Sequence, residues 1–441
     1  MAKRHLLMLG LLLAGGALSS ACSDAKIGSI GDDAGATGEA GSAGEAGNAG
    51  STSAGGAAGE GGETSQGGEG GEPPFVFPDA LNPQGVVVVG PSPATSTHLL
   101  VAASDYVAGT GEIVSVTLGS GAVGDNSTYA DGDLQATSSA GLGFAIERGK
   151  DLVHLLDGGK ISQTFDLKDL GTNQRAVDNK AYVPVLNQSL IVVLDLNEGT
   201  VSHRIDLNEF NAAGDSDHSA DIAEGVYDPN SKIAYFVLQR IDIPSYNGGT
   251  KLPCTKTPGL IVGIDTETDE VVDLNGDSEG KAIELELVNQ RSLSISSDGT
   301  TLYMLADGCF EDDQKVRSGV EVVDVTDGTT TVGYDATADY ASSDYLARLI
   351  LIGGPNALLE SFDENYATHW TKLELGHALG AEIENVPQAV SFDGTDLLGV
   401  EVDGKVGKVV RYNLATETSA TVSPTSWAGD YSSASATALV Q

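Results

Sequence analysis

One acidic segment has the ligand spacing that a calcium ion requires. Within residues 273–284, oxygen-bearing side chains stand at positions 1, 3, 5 and 12 of a calcium-binding loop, and these candidate ligands are Asp273, Asn275, Asp277 and Glu284. Calcium prefers clustered oxygen ligands of this kind, so the spacing predicts a cation site. Ser278 stands where such a loop has an invariant glycine, and no flanking helices are expected, so a solvated acidic turn is the alternative.

A second polar cluster lies in the segment 215–221. Its candidate ligands for zinc or calcium are Asp215, Asp217, His218 and Asp221. Such residues are also ordinary in the loops of an acidic protein, and that is the alternative. His369 and His377 flank the end of a predicted strand without the helical spacing of paired zinc-binding histidines, so we interpret both as structural.

These candidate residues lie in a chain built of repeats. From residue 80 to 441, short apolar or alternating strands are separated by Gly, Asp and Asn turns, and the pattern returns about every 45–60 residues. The clearest units are 179–207, 231–274 and 300–335. Four short strands per unit at this period predict the blades of a β-propeller. We therefore predict an all-β fold, a seven-bladed β-propeller over residues 80–441.

The same pattern predicts how the ring of blades closes. The C-terminal segment 434–440 reads as a strand, and residues 86–101 contain an N-terminal strand. Pairing the two would close the ring and remove an exposed sheet edge. We expect that pairing.

Several units resemble YVTN-type propeller repeats. The strings AYVP at 181–184, AYFV at 234–237 and LYM at 302–304 carry the resemblance, together with strands that end in Asp. The resemblance implies a seven-bladed propeller of the kind found in secreted and surface proteins. It implies little about chemistry, because this fold hosts binding modules, lactonases and scaffolds.

Polar side chains stand near the starts of the predicted innermost strands, where they would surround the central channel. They are Gln135, Arg175, Glu224, Arg291, Arg348 and Gln388. Three are arginines in a chain with only 23 lysines and arginines, so they predict a site for an anionic or carbonyl ligand. Mutual pairing in a water-filled channel is the alternative.

No residue is assigned as catalytic. Lactonase-type propellers hold a metal through acidic and Asn ligands at the channel, and Glu224 could take part in such a site. The spacing of the other Asp and Asn residues does not select its partners. Binding is therefore the predicted function, with a metal-dependent hydrolase or lactonase and a structural envelope component as alternatives.

Long inserts fall in the loops that share one face of a propeller. They are 206–222, 240–258, 274–289, 307–318 and 336–346. Functional residues concentrate in loops on a rigid scaffold, so this face is the predicted binding surface for a protein partner or a small-molecule ligand. Neutral drift in tolerated loops is the alternative.

Two cysteines are expected to join adjacent inserts. Cys254 and Cys309 occupy equivalent loops of neighbouring blades, each before a predicted third strand. An even pair in an exported chain favours a disulfide. Neither cysteine has a second metal ligand at short spacing.

The N-terminus carries an export signal. Residues 1–21 combine Lys3 and Arg4 with an apolar run that is too short to span a bilayer. The residues before Cys22 resemble the lipobox of bacterial lipoproteins, although Ser19 stands where that motif prefers Leu. The resemblance implies cleavage before Cys22, acylation of its thiol, for example with palmitate, and a membrane anchor in the cell envelope. Ser23 stands where an Asp favours inner-membrane retention in enterobacterial lipoproteins, so the outer membrane is favoured. An ordinary signal peptide cut near Ala21 is the alternative.

The segment 22–79 is expected to be a disordered tether. It consists mainly of Gly, Ala, Ser, Thr and Glu and offers almost no large apolar side chain to bury. The whole chain has a formal charge of -40. Nucleic acid would repel so acidic a protein, so we expect no nucleic-acid partner.

Overall fold

The computed structural model describes residues 81–440. Within that range the residues not described are 92–94, 106–107, 170–176, 187, 214–217, 242–251, 255–256, 277–280, 312–313, 342–343, 366, 404–405 and 427–433. The signal peptide 1–21, the lipidation site Cys22 and the tether 22–79 lie outside the described residues and remain predictions.

Strands follow one another along the whole described chain. The first sixteen are β1 (Val87–Val88), β2 (His98–Asp105), β3 (Thr110–Thr117), β4 (Val123–Tyr129), β5 (Leu134–Ser139), β6 (Leu142–Glu147), β7 (Leu152–Asp157), β8 (Lys160–Asp166), β9 (Lys180–Pro184), β10 (Leu190–Asp195), β11 (Thr200–Asp206), β12 (Ile222–Asp228), β13 (Ile233–Leu238), β14 (Leu260–Asp265), β15 (Glu270–Val272) and β16 (Ile283–Glu284). The others are β17 (Gln290–Ile295), β18 (Thr301–Ala306), β19 (Cys309–Glu311), β20 (Gln314–Val316), β21 (Gly319–Asp324), β22 (Thr329–Asp335), β23 (Tyr345–Gly353), β24 (Asn356–Phe362), β25 (Thr368–Glu374), β26 (Glu382–Ile383), β27 (Gln388–Phe392), β28 (Asp396–Asp403), β29 (Val406–Asn413), β30 (Thr418–Ser426) and β31 (Ala434–Val440).

The helical content of the described chain is two short 3-10 turns, Arg148–Lys150 and Asn208–Phe210. No helix among the described residues is long and apolar enough to cross a bilayer.

The strands form seven antiparallel blades, which confirms the predicted all-β propeller. From the innermost strand outwards, the blades are β31-β2-β3-β4, β5-β6-β7-β8, β1-β9-β10-β11, β12-β13-β14-β15, β17-β18-β21-β22, β23-β24-β25-β26 and β27-β28-β29-β30, here called blades 1 to 7. Strand β16 adds to blade 4 by pairing with β14, and β19 and β20 form a separate hairpin.

The core lies between the blades, because each central strand is buried on both faces. In β10, Ile191 and Val193 pack against blade 4, where they join Phe236, whereas Val192 packs against blade 2 with Phe144. Successive side chains of a strand point to opposite faces. A strand buried on both faces therefore needs an apolar residue at nearly every position, which explains the continuous run LIVVLD.

Three of the third strands, β10, β14 and β21, end in an Asp that closes the hairpin to the fourth strand. The Oδ1 atom of Asp195 accepts the backbone N–H groups of Asn197 at 2.9 Å and Glu198 at 3.1 Å. Asp265 makes the equivalent pair of bonds, and Asp324 makes one. These are Asx turns, in which a short carboxylate satisfies backbone donors that the turn leaves unpaired.

Both ends of the described chain supply an innermost strand, but to different blades. Strand β31 pairs with β2, with Leu99 opposite Leu439, so the predicted closure by residues 434–440 is confirmed. The N-terminal residues 87–88 lie elsewhere: β1 pairs with β9, with Val87 opposite Tyr182, and completes blade 3. The chain then passes blade 2 before it enters blade 1 as β2.

We expect that blade 3 depends on this N-terminal strand. Leu81, Val86, Val87 and Val88 are all buried, and each buried apolar side chain of this size contributes about 1.5–3 kcal/mol. A chain that begins at residue 91 should therefore lose about 6 kcal/mol or more of its free energy of unfolding, measured by urea denaturation. A chain that begins at residue 80 is the control and should match the full chain. Equal stability of the two truncated chains would contradict the role of β1.

Candidate functional site: the central cavity

The innermost strands of the seven blades surround a central channel. Neighbouring strands in every blade are antiparallel. The start of each innermost strand therefore lies at the same face of the propeller as the loop between the second and third strands. We call this the insert face. The free edge of each innermost strand faces the channel, so backbone N–H and C=O groups there lack a ladder partner on one side.

A cavity of about 500 Å³ occupies the channel, within the range of about 300–1,000 Å³ that is usual for small-molecule sites. Its walls come largely from β1, β5, β12 and β17, with residues 84–86 and 95–96 from the N-terminal segment. Three of the six predicted channel residues line it together: Gln135, Glu224 and Arg291.

The other three predicted channel residues are not brought into this cavity. Arg175 lies outside the described residues. Gln388 is exposed. Arg348 binds Glu360, with its Nε and Nη2 atoms each 3.0 Å from Oε2, and donates from Nη1 to the Val390 carbonyl at 2.7 Å. Its guanidinium also lies 5.3 Å from the centroid of the Trp370 ring, so Arg348 links blade 6 to blade 7.

Side chains of one innermost strand satisfy backbone groups of the next. The Oε2 atom of Glu224 accepts the Leu293 N–H at 2.9 Å and so joins blade 4 to blade 5. Three serines make equivalent links, each to a backbone group of the adjacent blade: Ser139 to Val88, Ser292 to Leu349, and Ser391 to Thr437. Much of the channel's polarity is therefore structural.

Glu224 is a carboxyl of the cavity wall whose pKa is raised. Burial raises its pKa to about 7, while the N–H of Leu293 and the positive charge of Arg348 oppose the rise. Its side chain lines the cavity and is only partly accessible to solvent. A carboxyl with this pKa is half protonated near neutral pH, so it can both donate and accept a hydrogen bond there.

Arg291 belongs to an ion cluster at the insert face. Its Nη2 atom lies 3.5 Å from Oδ2 of Asp307. The Oδ1 atom of the same carboxylate accepts from Nζ of Lys315 at 2.5 Å and from the Leu346 N–H at 2.8 Å. Asp307 is thus shared by two cations, so it compensates the positive charge of Arg291 only in part.

Sequence reasoning missed Gln290, the residue next to Arg291. It is fully buried, lines the cavity, and donates from Nε2 to the Leu287 carbonyl at 2.9 Å. Its Oε1 atom and that of Gln135 have no hydrogen-bond partner among the described residues. The only sequence signal for Gln290 was its position at the start of an innermost strand.

The predicted calcium loop lies on the outer rim of blade 4. Strands β15 and β16 both pair with β14, so the described residues 273–276 and 281–282 leave and rejoin the outer edge of the blade. Oδ1 of Asp273 accepts the N–H groups of Asn275 and Gly276, and Asn275 donates to the Ala282 carbonyl at 3.1 Å. Glu284 is exposed on β16, and Asp277 lies outside the described residues, so the calcium site remains a prediction.

The second polar cluster is only partly described. Asp215 and Asp217 lie outside the described residues, and His218 is exposed. Asp221 is buried and accepts the Ile241 N–H at 3.1 Å. Within the described part of the chain, no three His, Cys, Asp or Glu side chains form a group that could hold a metal ion.

The two predicted structural histidines lie beside acidic side chains on the outer part of blade 6. Nδ1 of His369 is 2.7 Å from Glu382, whose hydrogen bond raises the pKa of the imidazole. His377 lies 3.5 Å from Glu374.

The disulfide prediction is confirmed on the insert face. Cys254 and Cys309 are bonded, with their Cα atoms 4.9 Å apart, and they join the loops between second and third strands of blades 4 and 5. The Phe310 N–H donates to the Leu252 carbonyl at 2.9 Å beside the bond.

The sequence suggested that the insert 274–289 joins two blades, but its first part does not. The described residues 274–276 and 281–282 leave and rejoin the outer edge of blade 4 between β15 and β16.

Two strings match enzyme motifs in letters but not in context. Residues 119–124, GSGAVG, have the glycine spacing of a dinucleotide-binding turn. That motif requires a strand followed by a helix, whereas this segment joins the antiparallel strands β3 and β4. Residues 276–280, GDSEG, have the letters of a hydrolase nucleophile turn. Of these residues only Gly276 is described, and 277–280 lie outside the described residues.

Comparison with known proteins gives structural neighbours only. No protein-family model matches the chain, and no curated protein sequence matches it. Among solved structures, hydrazine synthase of Kuenenia stuttgartiensis is 13% identical, with a TM-score of 0.46, over 82% of this chain and 99% of that chain. The Cps50 (Swd1) β-propeller domain of Myceliophteria thermophila is 12% identical, with a TM-score of 0.45, over 76% and 98%. A candidate 6-phosphogluconolactonase of Bacteroides fragilis is 13% identical, with a TM-score of 0.46, over 80% and 100%.

The acidity of Glu224 predicts a pH dependence of stability. Because its pKa is raised from 4.5 to about 7 on folding, the folded protein holds a proton that the unfolded chain has lost. The free energy of unfolding should therefore fall as the pH rises from about 4.5 to about 7, by on the order of 2–3 kcal/mol for this group, and level off above. Urea denaturation of Glu224→Gln across this range should show a shallower fall. The exposed substitution Glu198→Gln removes one charge and is the control; equal pH profiles for both variants would contradict the assignment.

Proposed function

We propose that this chain is a lipid-anchored cell-envelope protein whose propeller binds a small polar ligand in its central cavity. The observation that carries the proposal is the cavity itself, about 500 Å³ in volume, with Gln135, Glu224, Gln290 and Arg291 on its walls. Convergent polar groups in a preformed concavity are the usual features of a small-molecule site.

Two amide oxygens at the cavity wall lack a hydrogen-bond partner. The edge-strand links described above use the Oε2 atom of Glu224 and several serines, but leave Oε1 of Gln135 and Oε1 of Gln290 without a partner among the described residues. A buried acceptor without a donor costs about 1–3 kcal/mol. Both atoms are buried, so a ligand would reach them only if the amide groups turned towards the cavity.

The anchor is supported by the way in which the chain enters the propeller. The N–H groups of Leu81 and Asn82 donate to Oδ1 of Asp151 at 2.8 and 3.1 Å, and Asp151 is itself paired with Lys168 at 2.8 Å. Asp151 lies in a loop on the insert face, so the described chain enters the propeller at that face. The proposed tether, residues 22–79, would span about 40 Å on average if it is a flexible Gly-rich chain.

The insert face supports a second candidate function, the binding of a protein partner. The bond between Cys254 and Cys309 restrains two adjacent long loops. Restraint in the unbound state lowers the entropy lost on association, so a clipped loop pair is better suited to binding than a free one.

The cavity proposal is tested by placing an indole in the channel. Thr137 lines the cavity on β5, and Thr137→Trp should fill part of its volume. We expect ligand-observed NMR with a mixture of neutral, cationic and anionic small molecules to detect binding to the detergent-solubilised full chain, and to lose it in this variant. Ser162→Trp, on the exposed outer strand of the same blade, is the control and should retain binding. The proposal would be overturned if no small molecule bound to the wild type or to the control.

The anchor is tested at Cys22. Replacing the thiol in Cys22→Ser removes the group that would be acylated, so the protein should move from the membrane to the soluble fraction of cells and no longer take up a clickable fatty acid. Cys254→Ser is the matched control and should stay in the membrane fraction with its label. A wild-type chain without label, or a Cys22→Ser chain that stays with the membrane, would contradict the anchor.

A further inference from the structure

The start of the described chain contains a strained asparagine that precedes a proline. Asn82 has a left-handed backbone, with a φ of 55°, and Pro83 follows it. A positive φ is uncommon for a residue other than glycine, and proline restricts the residue before it towards extended conformations. Strain of this kind persists only where the surrounding contacts impose it, and it is concentrated at functional sites. The backbone is therefore strained next to the bond between Asn82 and Pro83.

The main-chain carbonyl of Asn82 accepts two hydrogen bonds. Its oxygen lies 2.9 Å from Nε2 of Gln84 and 3.1 Å from the backbone nitrogen of Leu186. Two donors on one carbonyl oxygen stabilise the negative charge that this oxygen gains when a nucleophile attacks the carbonyl carbon. The Asn82 carbonyl is therefore activated towards nucleophilic attack.

The side chain of Asn82 supplies a nucleophile beside this carbonyl. The Nε2 atom of Gln84 also donates to Oδ1 of Asn82 at 2.9 Å, so one amide group holds the side-chain oxygen and the main-chain oxygen of the same residue. The other terminal atom of the side chain, Nδ2, is buried and has no hydrogen-bond partner among the described residues. Because Asn82 is only 5% exposed, water has little access to the carbonyl to compete with Nδ2.

We propose that the chain cleaves itself between Asn82 and Pro83. Nδ2 of Asn82 attacks the main-chain carbonyl carbon of the same residue, the C–N bond to Pro83 breaks, and the proton lost by Nδ2 is taken up by the nitrogen of Pro83. The products are a C-terminal succinimide on residue 82 and a free N-terminus at Pro83, and no water or other reactant is consumed. The competing reaction of asparagine, attack of the next backbone N–H on the side chain, is closed because proline has no N–H.

The position of this bond separates the propeller from the segment before it. Strand β1 stays on the propeller side of the cleaved bond. Leu81 and Asn82 would then be held by non-covalent contacts alone, among them their N–H bonds to Asp151. Cleavage would thus release the propeller from an anchor at Cys22. That consequence rests on the proposed function, whereas the cleavage itself does not.

Intact-mass spectrometry of the detergent-solubilised full chain, incubated at neutral pH, tests the cleavage. We expect a fragment that begins at Pro83 to be present or to accumulate. In samples quenched with acid at early times, the masses of the two fragments should add up to the mass of the uncut chain. Hydrolysis by water or by a protease would instead add the mass of one water molecule. That added mass, or the absence of a fragment beginning at Pro83 after several weeks, would overturn the proposal.

The nucleophile is tested by a matched pair of substitutions. Glycine adopts a positive φ readily, so Asn82→Gly removes the nucleophile and keeps the backbone conformation. Asn385 also has a left-handed backbone, with a φ of 59°, but Val386 follows it, so Asn385→Gly is the control. We expect no cleavage in Asn82→Gly and an unchanged rate in Asn385→Gly. Cleavage of Asn82→Gly at the wild-type rate would overturn the role of the side chain.

The activation of the carbonyl is tested at Gln84. Gln84→Met keeps the size of the side chain and removes one of the two donors, so cleavage should slow about tenfold or more. The wild-type chain unfolded in urea loses both donors and should also cleave at least about tenfold more slowly than the folded chain. Equal rates in the folded and unfolded chains would overturn the proposal. A soluble fragment beginning at Pro83 from a chain that takes up no lipid at Cys22 would contradict the anchor alone and leave the cleavage intact.

Discussion

The unpaired edge of each innermost strand is the constraint on which the rest of this structure depends. A propeller blade pairs its strands outward, so the innermost strand has backbone N–H and C=O groups with no ladder partner on the channel side. Side chains of the adjacent blade fill that role here, from Glu224 to the Leu293 N–H and from Arg348 to the Val390 carbonyl. The channel must therefore be polar for the fold to be stable, and a polar cavity is a consequence of the architecture before it is a binding site.

The links between blades use some of the polar groups of the channel and leave others accessible. Arg348 is used by its bonds to Glu360 and Val390, whereas Arg291 shares Asp307 with Lys315. Gln135, Glu224 and Arg291 line the cavity, so they are the sequence-predicted channel residues that a ligand could meet. A ring of conspicuous charges is thereby reduced to a small set of cavity-lining groups.

Ring closure by both chain ends brings the N-terminal segment to the cavity. Strand β1 completes blade 3, and the same N-terminal segment contributes residues 84–88 to the cavity wall. The carboxylate of Asp151 holds the start of this segment through the N–H groups of Leu81 and Asn82. This contact fixes the start of the described chain, so a pull on the residues before it would reach Asp151 before it reached the pairing of β1 with β9.

The sequence by itself determined the blade count, the strand periodicity and the pairing of Cys254 with Cys309, because these depend on local patterns: apolar runs, Asp turns and equivalent positions in repeated units. It also located Gln135, Glu224 and Arg291 at the channel. Only the tertiary structure decided that β1 belongs to blade 3, since a two-residue apolar pair can complete any open edge and its partner is far away in sequence. The roles of Arg348 and Gln290 were likewise settled by packing: whether a polar side chain is used by its neighbours or left for a ligand depends on contacts between blades, which no pattern within one repeat records.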